Sequence, residues 1–188
     1  MLNEALLFLF DVLLQPFAVL LLLRFHLQWM RVSLRNPLGG FVLALTDFVV
    51  LRVRRLFPSM GRADTASLML AFAAETAYLA GVLWLQGVHP AGFPLVGLLL
   101  WATVKLFKIT VYLLMAAVFI QALLSWINPY TPVAAMLAAM TRPFLQPLRR
   151  YIPLAGNIDL TPMVLLILCQ LIIIMPLGWL EGLVLGLL

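Results

Sequence analysis

The sequence predicts an all-helical integral membrane protein with four transmembrane helices, arranged as two copies of a two-helix unit. Its 188 residues are 65% hydrophobic and only 10% charged, and the mean hydropathy is +1.12. Soluble domains carry about 25% charged residues, and a soluble chain of this length could not bury so much apolar surface. Several apolar runs are long enough to cross a bilayer, and a set of residues recurs at a constant spacing.

The apolar runs define the predicted elements. A transmembrane helix needs about 20 apolar residues, and runs of this kind lie at about 5–30, 65–87, 97–127 and 161–185. The stretch from Ala91 to Lys108 could extend the third helix or form a separate interfacial helix, and we favour the extension. Two shorter apolar segments, at about 41–57 and 133–151, end in basic residues. They predict amphipathic helices, either interfacial or re-entrant.

The arginines predict the orientation. The first loop contains six arginines and the third contains three, whereas the second loop around His89 and Pro90 contains none. By the positive-inside rule, both basic loops face the cytoplasm and both termini face the periplasm of a bacterial inner membrane. Lys105 and Lys108 oppose this assignment, because an extended third helix places them towards the outer side. The nine loop arginines are Arg31, Arg35, Arg52, Arg54, Arg55, Arg62, Arg142, Arg149 and Arg150.

An internal repeat predicts two units, at 1–90 and 91–188. A shift of 95 residues aligns Pro37 with Pro132, Thr46 with Thr141, Arg54 and Arg55 with Arg149 and Arg150, Pro58 with Pro153, Gly61 with Gly156, and Asp64 with Asp159. Upstream, a shift of 97 aligns Trp29 with Trp126. Since each unit crosses the membrane twice, both copies insert in the same orientation. An inverted-repeat transporter is therefore disfavoured.

These repeated motifs carry a family resemblance. RFHLQWMRVSLRNPL and RVRRLFPSMGRAD in the first unit, and SWINPYTP and TRPFLQPLRRYIPLAGNIDLTPM in the second, resemble the YggT/YlmG family over nearly the whole chain. The first unit departs from the pattern, with Phe48 and Arg52 where the second has Pro143 and Pro147. The resemblance implies a membrane protein of bacteria or plastids, linked to ion or osmotic homeostasis, cell division or assembly of membrane cytochrome complexes. It implies no established reaction.

The basic segments and the acids that follow them are candidate sites. Cations beside an anionic membrane surface can each contribute about 1 kcal/mol to binding, so the arginines predict contacts with anionic lipid or a partner, although they could serve only as topological anchors. Asp64 and Asp159 precede the second helix of each unit, where each could cap that helix or pair with the preceding arginines. A role in binding a cation or a partner is the alternative. The candidate lipid- or partner-binding residues are Arg52, Arg54, Arg55, Arg142, Arg149 and Arg150.

Ionisable residues inside a predicted span are the other candidates. Arg24 and Glu75 lie within the first and second spans, and their repeat equivalents are Gln121 and Gln170. We predict that each unit joins its two spanning helices through one polar pair, Arg24 with Glu75 and Gln121 with Gln170. An ion or proton path through the same four residues is the alternative.

Two functions stay open at this point. The first is a small scaffold or accessory protein that binds anionic lipid and a membrane partner; the second is a component or regulator of ion transport, which would require a homo-oligomer. No phosphate loop, nucleophile motif or metal-spaced Cys and His set occurs in the sequence, and Cys169 is the single cysteine. We therefore expect no enzymatic activity, no metal, no cofactor and no nucleic-acid partner.

Overall fold

A computed structural model describes residues 1–55, 57, 64–87, 95–152 and 159–186. The described parts contain helices and no strand, which confirms the predicted fold class. Pro58, Gly61, Pro153 and Gly156, predicted as repeat-motif residues, lie outside the described residues. The helices are α1 (Leu2–Trp29), α2 (Pro37–Val53), α3 (Thr65–Leu85), α4 (Leu95–Ile127), α5 (Pro132–Leu148), α6 (Thr161–Ile172) and α7 (Gly178–Leu185), with a π-helical turn (Ile173–Leu177) between the last two.

Four helical segments are long and apolar enough to cross a membrane. They are α1, α3, α4 and the continuous segment Thr161–Leu185, which comprises α6, the π turn and α7. At 1.5 Å per residue, the 33 residues of α4 extend about 50 Å, well beyond a hydrocarbon core of about 30 Å. The predicted extension of the third span is therefore present from Leu95 onwards.

Helices α2 and α5 are 17-residue equivalents in the two units, and both begin in the same way. Pro37 and Pro132 occupy the first turn, where a missing N–H costs nothing. The preceding side chains cap the helices: Asn36 accepts from the Gly39 N–H at 2.8 Å, and Thr131 accepts from the Ala134 N–H at 3.1 Å. Both helices start and end earlier than predicted, because the capped prolines fix their starts and the arginine pairs follow their ends.

The exposed faces of α2 and α5 differ. On α2 the exposed side chains include Phe41, Leu45, Phe48 and Leu51, so its outer face is apolar. The prediction of an amphipathic helix is therefore wrong for α2. Its polar residue Thr46 lies on the buried face instead. On α5 the exposed side chains are mixed, and they include Arg142, Pro143, Phe144, Gln146 and Pro147.

The helices pack around α1, α3 and α4. The most extensive contact is between α1 and α3, and α3 also packs on α4, which in turn contacts α5, α6 and α7. Leu21, Leu22 and Ala71 form an apolar core at the centre of the α1–α3 contact, and Leu106 of α4 joins it. Close packing nearer the start of α1 requires Gly81, since a Cβ there would clash with the Phe10 ring.

Both short helices lie at one end of this bundle. α2 packs against α1 and α3, α5 packs against α4 and α6, and α2 and α5 contact each other. We call this end, where α1 and α4 terminate, the arginine end. The end that holds the start of α1 is called the opposite end.

Candidate functional site

Arg24 is the centre of a polar cluster in the first unit. It lies on α1 and is only 2% exposed. Its Nη1 donates to the Thr46 hydroxyl and to the Asp47 carboxylate, both at 2.7 Å, and Thr46 donates in turn to the Val42 carbonyl at 2.6 Å. This charged contact ties α1 to the middle of α2.

Asp64 connects the same cluster to α3. Its carboxylate is buried, and its Oδ2 accepts from Arg54 Nη2 at 2.7 Å and from the Ser67 hydroxyl at 2.6 Å, with Arg24 Nε at 3.5 Å. The side chain of Asp64 accepts no capping hydrogen bond from the backbone of α3. Of the two structural roles predicted for Asp64, capping and an ion pair, the described structure contains the ion pair with a preceding arginine.

The second unit repeats part of this arrangement. The Thr141 hydroxyl is hydrogen-bonded to the Gln121 amide, and it also lies 2.9 Å from the Leu137 carbonyl. Arg149 holds Asp159 through Nε at 3.0 Å and Nη2 at 2.8 Å. The two units therefore contain equivalent ion pairs, Arg54 with Asp64 and Arg149 with Asp159, at positions related by the shift of 95 residues.

Asp159 differs from Asp64 in its second contact. Its Oδ1 accepts from the Thr161 N–H at 3.0 Å, at the first residue of α6. Partial burial favours the neutral acid, but the hydrogen bonds from Thr161 and the charge of Arg149 outweigh it and hold the pKa of Asp159 below its ordinary value. Asp159 is therefore an ionised partner for Arg149 at neutral pH.

The predicted pair between Arg24 and Glu75 is wrong. Arg24 lies near the end of α1, and its long side chain reaches α2 and the start of α3, whereas Glu75 lies ten residues into α3, about 15 Å along that helix. The prediction also fails for Gln121, which contacts Thr141 rather than Gln170. Gln170 is exposed.

The partners that the prediction missed are the two threonines. Thr46 and Thr141 were among the identities at a shift of 95, and each meets the polar residue of the preceding long helix. Asp47, the acid beside Thr46, is replaced by Arg142 in the second unit. The acid is present where the long helix carries Arg24 and absent where it carries Gln121, so the two units differ in charge but share the position of the contact.

Glu75 lies in a different environment. It is completely buried, and its Oε1 accepts a long hydrogen bond of 3.4 Å from Gln15 Nε2 on α1. Within the described parts of the chain, its Oε2 has no hydrogen-bond partner and no cation lies within 4.0 Å of the carboxylate.

A second polar group lies towards the opposite end. Glu181 of α7 pairs with Lys108, accepts from Trp101 Nε1 at 3.3 Å, and lies 4.0 Å from Lys105 Nζ. Tyr78 donates to Asp11 at 2.7 Å. A cavity of about 490 Å³ between α1 and α4 is lined by Gln15, Val19, Lys105, Lys108, Tyr112 and Ala116, among others.

A larger cavity of about 600 Å³ is almost wholly apolar. It lies between α1, α3 and α4 and is lined by Phe25, Trp29, Phe72 and Phe107 together with His26. His26 Nδ1 lies 2.7 Å from the Leu22 carbonyl and therefore donates to it. Where the chain is described, no group of three His, Cys, Asp or Glu side chains is placed to hold a metal ion.

The arginine end carries an unbalanced positive surface. Its three acids, Asp47, Asp64 and Asp159, are all engaged in ion pairs. Six exposed arginines have no described ion pair, and they comprise Arg31, Arg35, Arg52, Arg55, Arg142 and Arg150. In each basic pair, one arginine forms an ion pair with an aspartate of the same unit and the other has no described ion pair. Exposed aromatic rings, including Trp29, Trp126, Tyr130 and Tyr151, lie at the same end.

The chain matches the family described as CCB3/YggT over residues 3–85 and 100–180. It is 30% identical over 173 residues to the uncharacterised protein PA0392 of Pseudomonas aeruginosa, covering 91% of this chain and 87% of that one. It is 29% identical over 175 residues to the uncharacterised protein YggT of Escherichia coli K12, covering 88% of this chain and 85% of the relative. An uncharacterised Haemophilus influenzae protein is 31% identical over 150 residues, which span 79% of this chain and 78% of that one.

No solved structure matches the chain significantly. The family match falls in two segments, one before and one after the second loop, and the relatives align over most of their own lengths. Together with the four membrane-spanning segments and the repeated ion pairs, the comparisons show that this protein belongs to the CCB3/YggT family.

Proposed function

We propose that the protein is a non-enzymatic membrane scaffold whose arginine end binds anionic lipid headgroups and presents a surface for a partner membrane protein. In this proposal the arginine end faces the cytoplasm of a bacterial cell. The observation that carries it is the difference between the two arginines of each basic pair. Arg54 and Arg149 form ion pairs with Asp64 and Asp159. Arg55 and Arg150 are exposed and have no ion pair in the described structure.

The charge at this end supports lipid binding. An arginine near an anionic surface contributes about 1 kcal/mol, and the attraction is confined to roughly a Debye length. With the acids of this end neutralised by internal pairs, six exposed arginines act together. Their aromatic neighbours Trp29 and Trp126 suit the headgroup region, because ring systems with one polar edge are enriched there.

The apolar outer face of α2 supports the second half of the proposal. Phe41 and Phe48 are more than half exposed beside the arginine surface. A face of this character is compatible with lipid or with an apolar helix of another membrane protein. We place the partner there because the neighbouring charges would orient it.

Transport is the weaker alternative. A shared cavity lined by Arg24, Glu75, Gln121 and Gln170 would favour an ion path, but these residues occupy separate environments. Arg24 and Gln121 contact α2 and α5, Glu75 contacts Gln15, and Gln170 is exposed. Separate contacts of this kind favour a structural role for Arg24 and Gln121.

The test compares the exposed arginines with the paired ones. The purified protein is reconstituted in phosphatidylcholine vesicles that contain brominated phosphatidylglycerol, and tryptophan quenching reports which lipid lies around the protein. Arg55→Gln with Arg150→Gln should reduce the preference for phosphatidylglycerol by about fivefold per charge, the equivalent of about 1 kcal/mol each, and should weaken its salt dependence.

Arg54→Gln with Arg149→Gln is the matched control. It removes the same formal charge but breaks two internal ion pairs, so we expect lower thermal stability and a smaller change in lipid preference. An unchanged lipid preference in the Arg55 and Arg150 variant would leave topological anchoring as the role of these residues and would contradict the proposal.

A further inference from the structure

Glu75 differs from every other acid in the chain. Glu4, Asp47, Asp64, Asp159 and Glu181 each lie within ion-pair distance of a cation, and Asp11 is exposed. Glu75 has neither exposure nor such a partner in the described structure. An ionised carboxylate in this position would carry a large desolvation cost without the Coulomb attraction that normally offsets it.

The groups around Glu75 come from three helices and do not neutralise it. α1 contributes the uncharged Gln15, and α3 itself contributes Tyr78, whose hydroxyl donates to Asp11. α4 contributes Lys105, the cation whose charge acts on Glu75. Lys105 lies 4.0 Å from Glu181 and 5.9 Å from the centre of the Trp101 ring. Lys108, the next cation on α4, is bonded to Glu181.

A metal ion is a poor occupant of this position. Alkali and alkaline-earth cations require about six oxygen ligands, and Glu75 has one free oxygen in the described structure. The Gln15 amide presents its nitrogen to the carboxylate, and the backbone carbonyls of α3 are used within the helix. A proton requires only the carboxylate itself.

The cavity between α1 and α4 provides a route to this position. Gln15 lies in the cavity wall and is hydrogen-bonded to Glu75 behind it. Towards the arginine end the route is closed by the apolar core that includes Leu21, Leu22 and Ala71. The cavity between α1 and α4 is therefore the route that the described structure offers to Glu75.

We propose that Glu75 is a proton-binding site, occupied as the neutral carboxylic acid at neutral pH and reached through the α1–α4 cavity. When the proton is released it leaves by the cavity, and the carboxylate that remains is stabilised by Lys105. This site is independent of the lipid-binding surface at the arginine end.

Reaction with dicyclohexylcarbodiimide tests the site in the full chain, reconstituted in vesicles of phosphatidylcholine and phosphatidylglycerol. This apolar reagent adds to a protonated carboxyl and rearranges to a stable N-acylurea, and the whole reagent is retained in the adduct. We expect peptide mass spectrometry to find the adduct on Glu75 and not on Glu181, the ionised control. Labelling should fall about tenfold for each pH unit above the midpoint of the titration.

Three variants test whether the labelling comes from Glu75 and reaches it through the cavity. Glu75→Gln, which copies Gln170 of the second unit, should abolish the labelling. Lys105→Met should extend the labelling to higher pH, because the carboxylate loses the stabilising charge of Lys105. Ala116→Trp should fill the cavity and slow the labelling; unchanged labelling in this variant would overturn the cavity route.

An infrared measurement does not depend on access of the reagent. The difference between wild type and Glu75→Gln should show the carbonyl absorption of a protonated carboxyl at neutral pH. Absence of that absorption would overturn the proposal, whatever the labelling shows. Protection of Glu75 from labelling by sodium or potassium chloride, but not by choline chloride, would identify a metal-cation site and would equally overturn it.

Discussion

Arg24 shows how a single buried residue can organise one unit. Its guanidinium is almost fully removed from solvent, yet it meets a hydroxyl and two carboxylates from separate parts of the chain. The planar group presents several donors in fixed directions, which suits contact with more than one acceptor. The end of α1, the middle of α2 and the start of α3 are thus fixed relative to one another by one side chain.

This role predicts different costs for two substitutions of Arg24. Arg24→Met leaves Asp64 buried with one cation fewer and Asp47 unpaired, so we expect a loss of about 3 kcal/mol in the free energy of unfolding. Arg24→Gln retains a hydrogen bond to Thr46, as Gln121 does with Thr141, and should cost less. Unfolding in detergent, followed by circular dichroism, measures both.

Gln121→Met is the control in the second unit. It removes one neutral hydrogen bond, so the expected loss is only about 1 kcal/mol. Equal losses for Arg24→Met and Gln121→Met would contradict the view that the charge of Arg24 is what the first unit requires.

At this scale the sequence revealed the polar positions better than their partners. Position within an apolar run indicated Arg24 and Glu75, and an ion pair with the preceding arginines was one of the roles predicted for Asp64. The contact between Arg24 and Thr46 was missed because depth along a helix does not define the direction of a side chain around it. Gln15 was also missed, since a neutral amide within an apolar run carries no charge signal.

At the scale of the element, the start of α2 depends on a close approach between its first turn and the preceding loop. Gly39 lies where an added Cβ would be 2.7 Å from the Cα of Leu34, whereas an added Cβ at the adjacent Gly40 would have no neighbour within 4 Å. Two consecutive glycines in the same helix therefore have different surroundings.

Alanine substitutions at these glycines should change stability in opposite directions. Gly39→Ala must displace the backbone of Leu34 and should cost about 1–3 kcal/mol. Gly40→Ala should stabilise the protein by about 0.5–1 kcal/mol, because alanine loses less backbone entropy in a helix. Thermal unfolding of both variants checks the sign, and a loss of stability in Gly40→Ala would show that its surroundings are less open than described.

The helices themselves were predictable, whereas the character of α2 was not. Long apolar runs defined the spans, but α2 and α5 start at Pro37 and Pro132, earlier than the predicted 41 and 133. The basic residues after each short helix indicated an amphipathic face, but Thr46 and Asp47 turn towards Arg24, which leaves an apolar surface outside. The orientation of a polar residue in a short helix depends on tertiary contacts that hydropathy alone does not contain.

For the whole molecule, the location of the arginines predicts how the bundle inserts. We expect the arginine end in the cytoplasm and the opposite end in the periplasm. In a Cys169→Ser background, Gln86→Cys should react with a membrane-impermeant maleimide in spheroplasts, whereas Asn128→Cys should react only after the membrane is disrupted. Both positions are exposed in the fold and lie at opposite ends. The reverse labelling pattern would overturn the orientation.

The overall architecture followed from composition and repetition, because four apolar spans and a duplicated motif leave few arrangements. The contacts between units were less predictable. α4 packs against α3 of the first unit as well as against α6 and α7 of its own, and the sequence shift that aligns the units does not specify which faces meet.

The π turn between α6 and α7 determines which side of α7 faces the rest of the bundle. In a regular α-helix, residues four apart are offset by about 40° around the axis. A row of residues at every fourth position therefore turns gradually away from the helix it packs against, here α4. Thr161, Leu165, Cys169, Ile173 and Leu177 are nevertheless all buried. The wider turn, which contains Pro176, follows the drift that accumulates from Thr161 to Ile173 and, as a one-residue insertion, rotates the following residues back by most of it. Glu181, four residues after Leu177, lies on the same side of the span and therefore reaches Lys108.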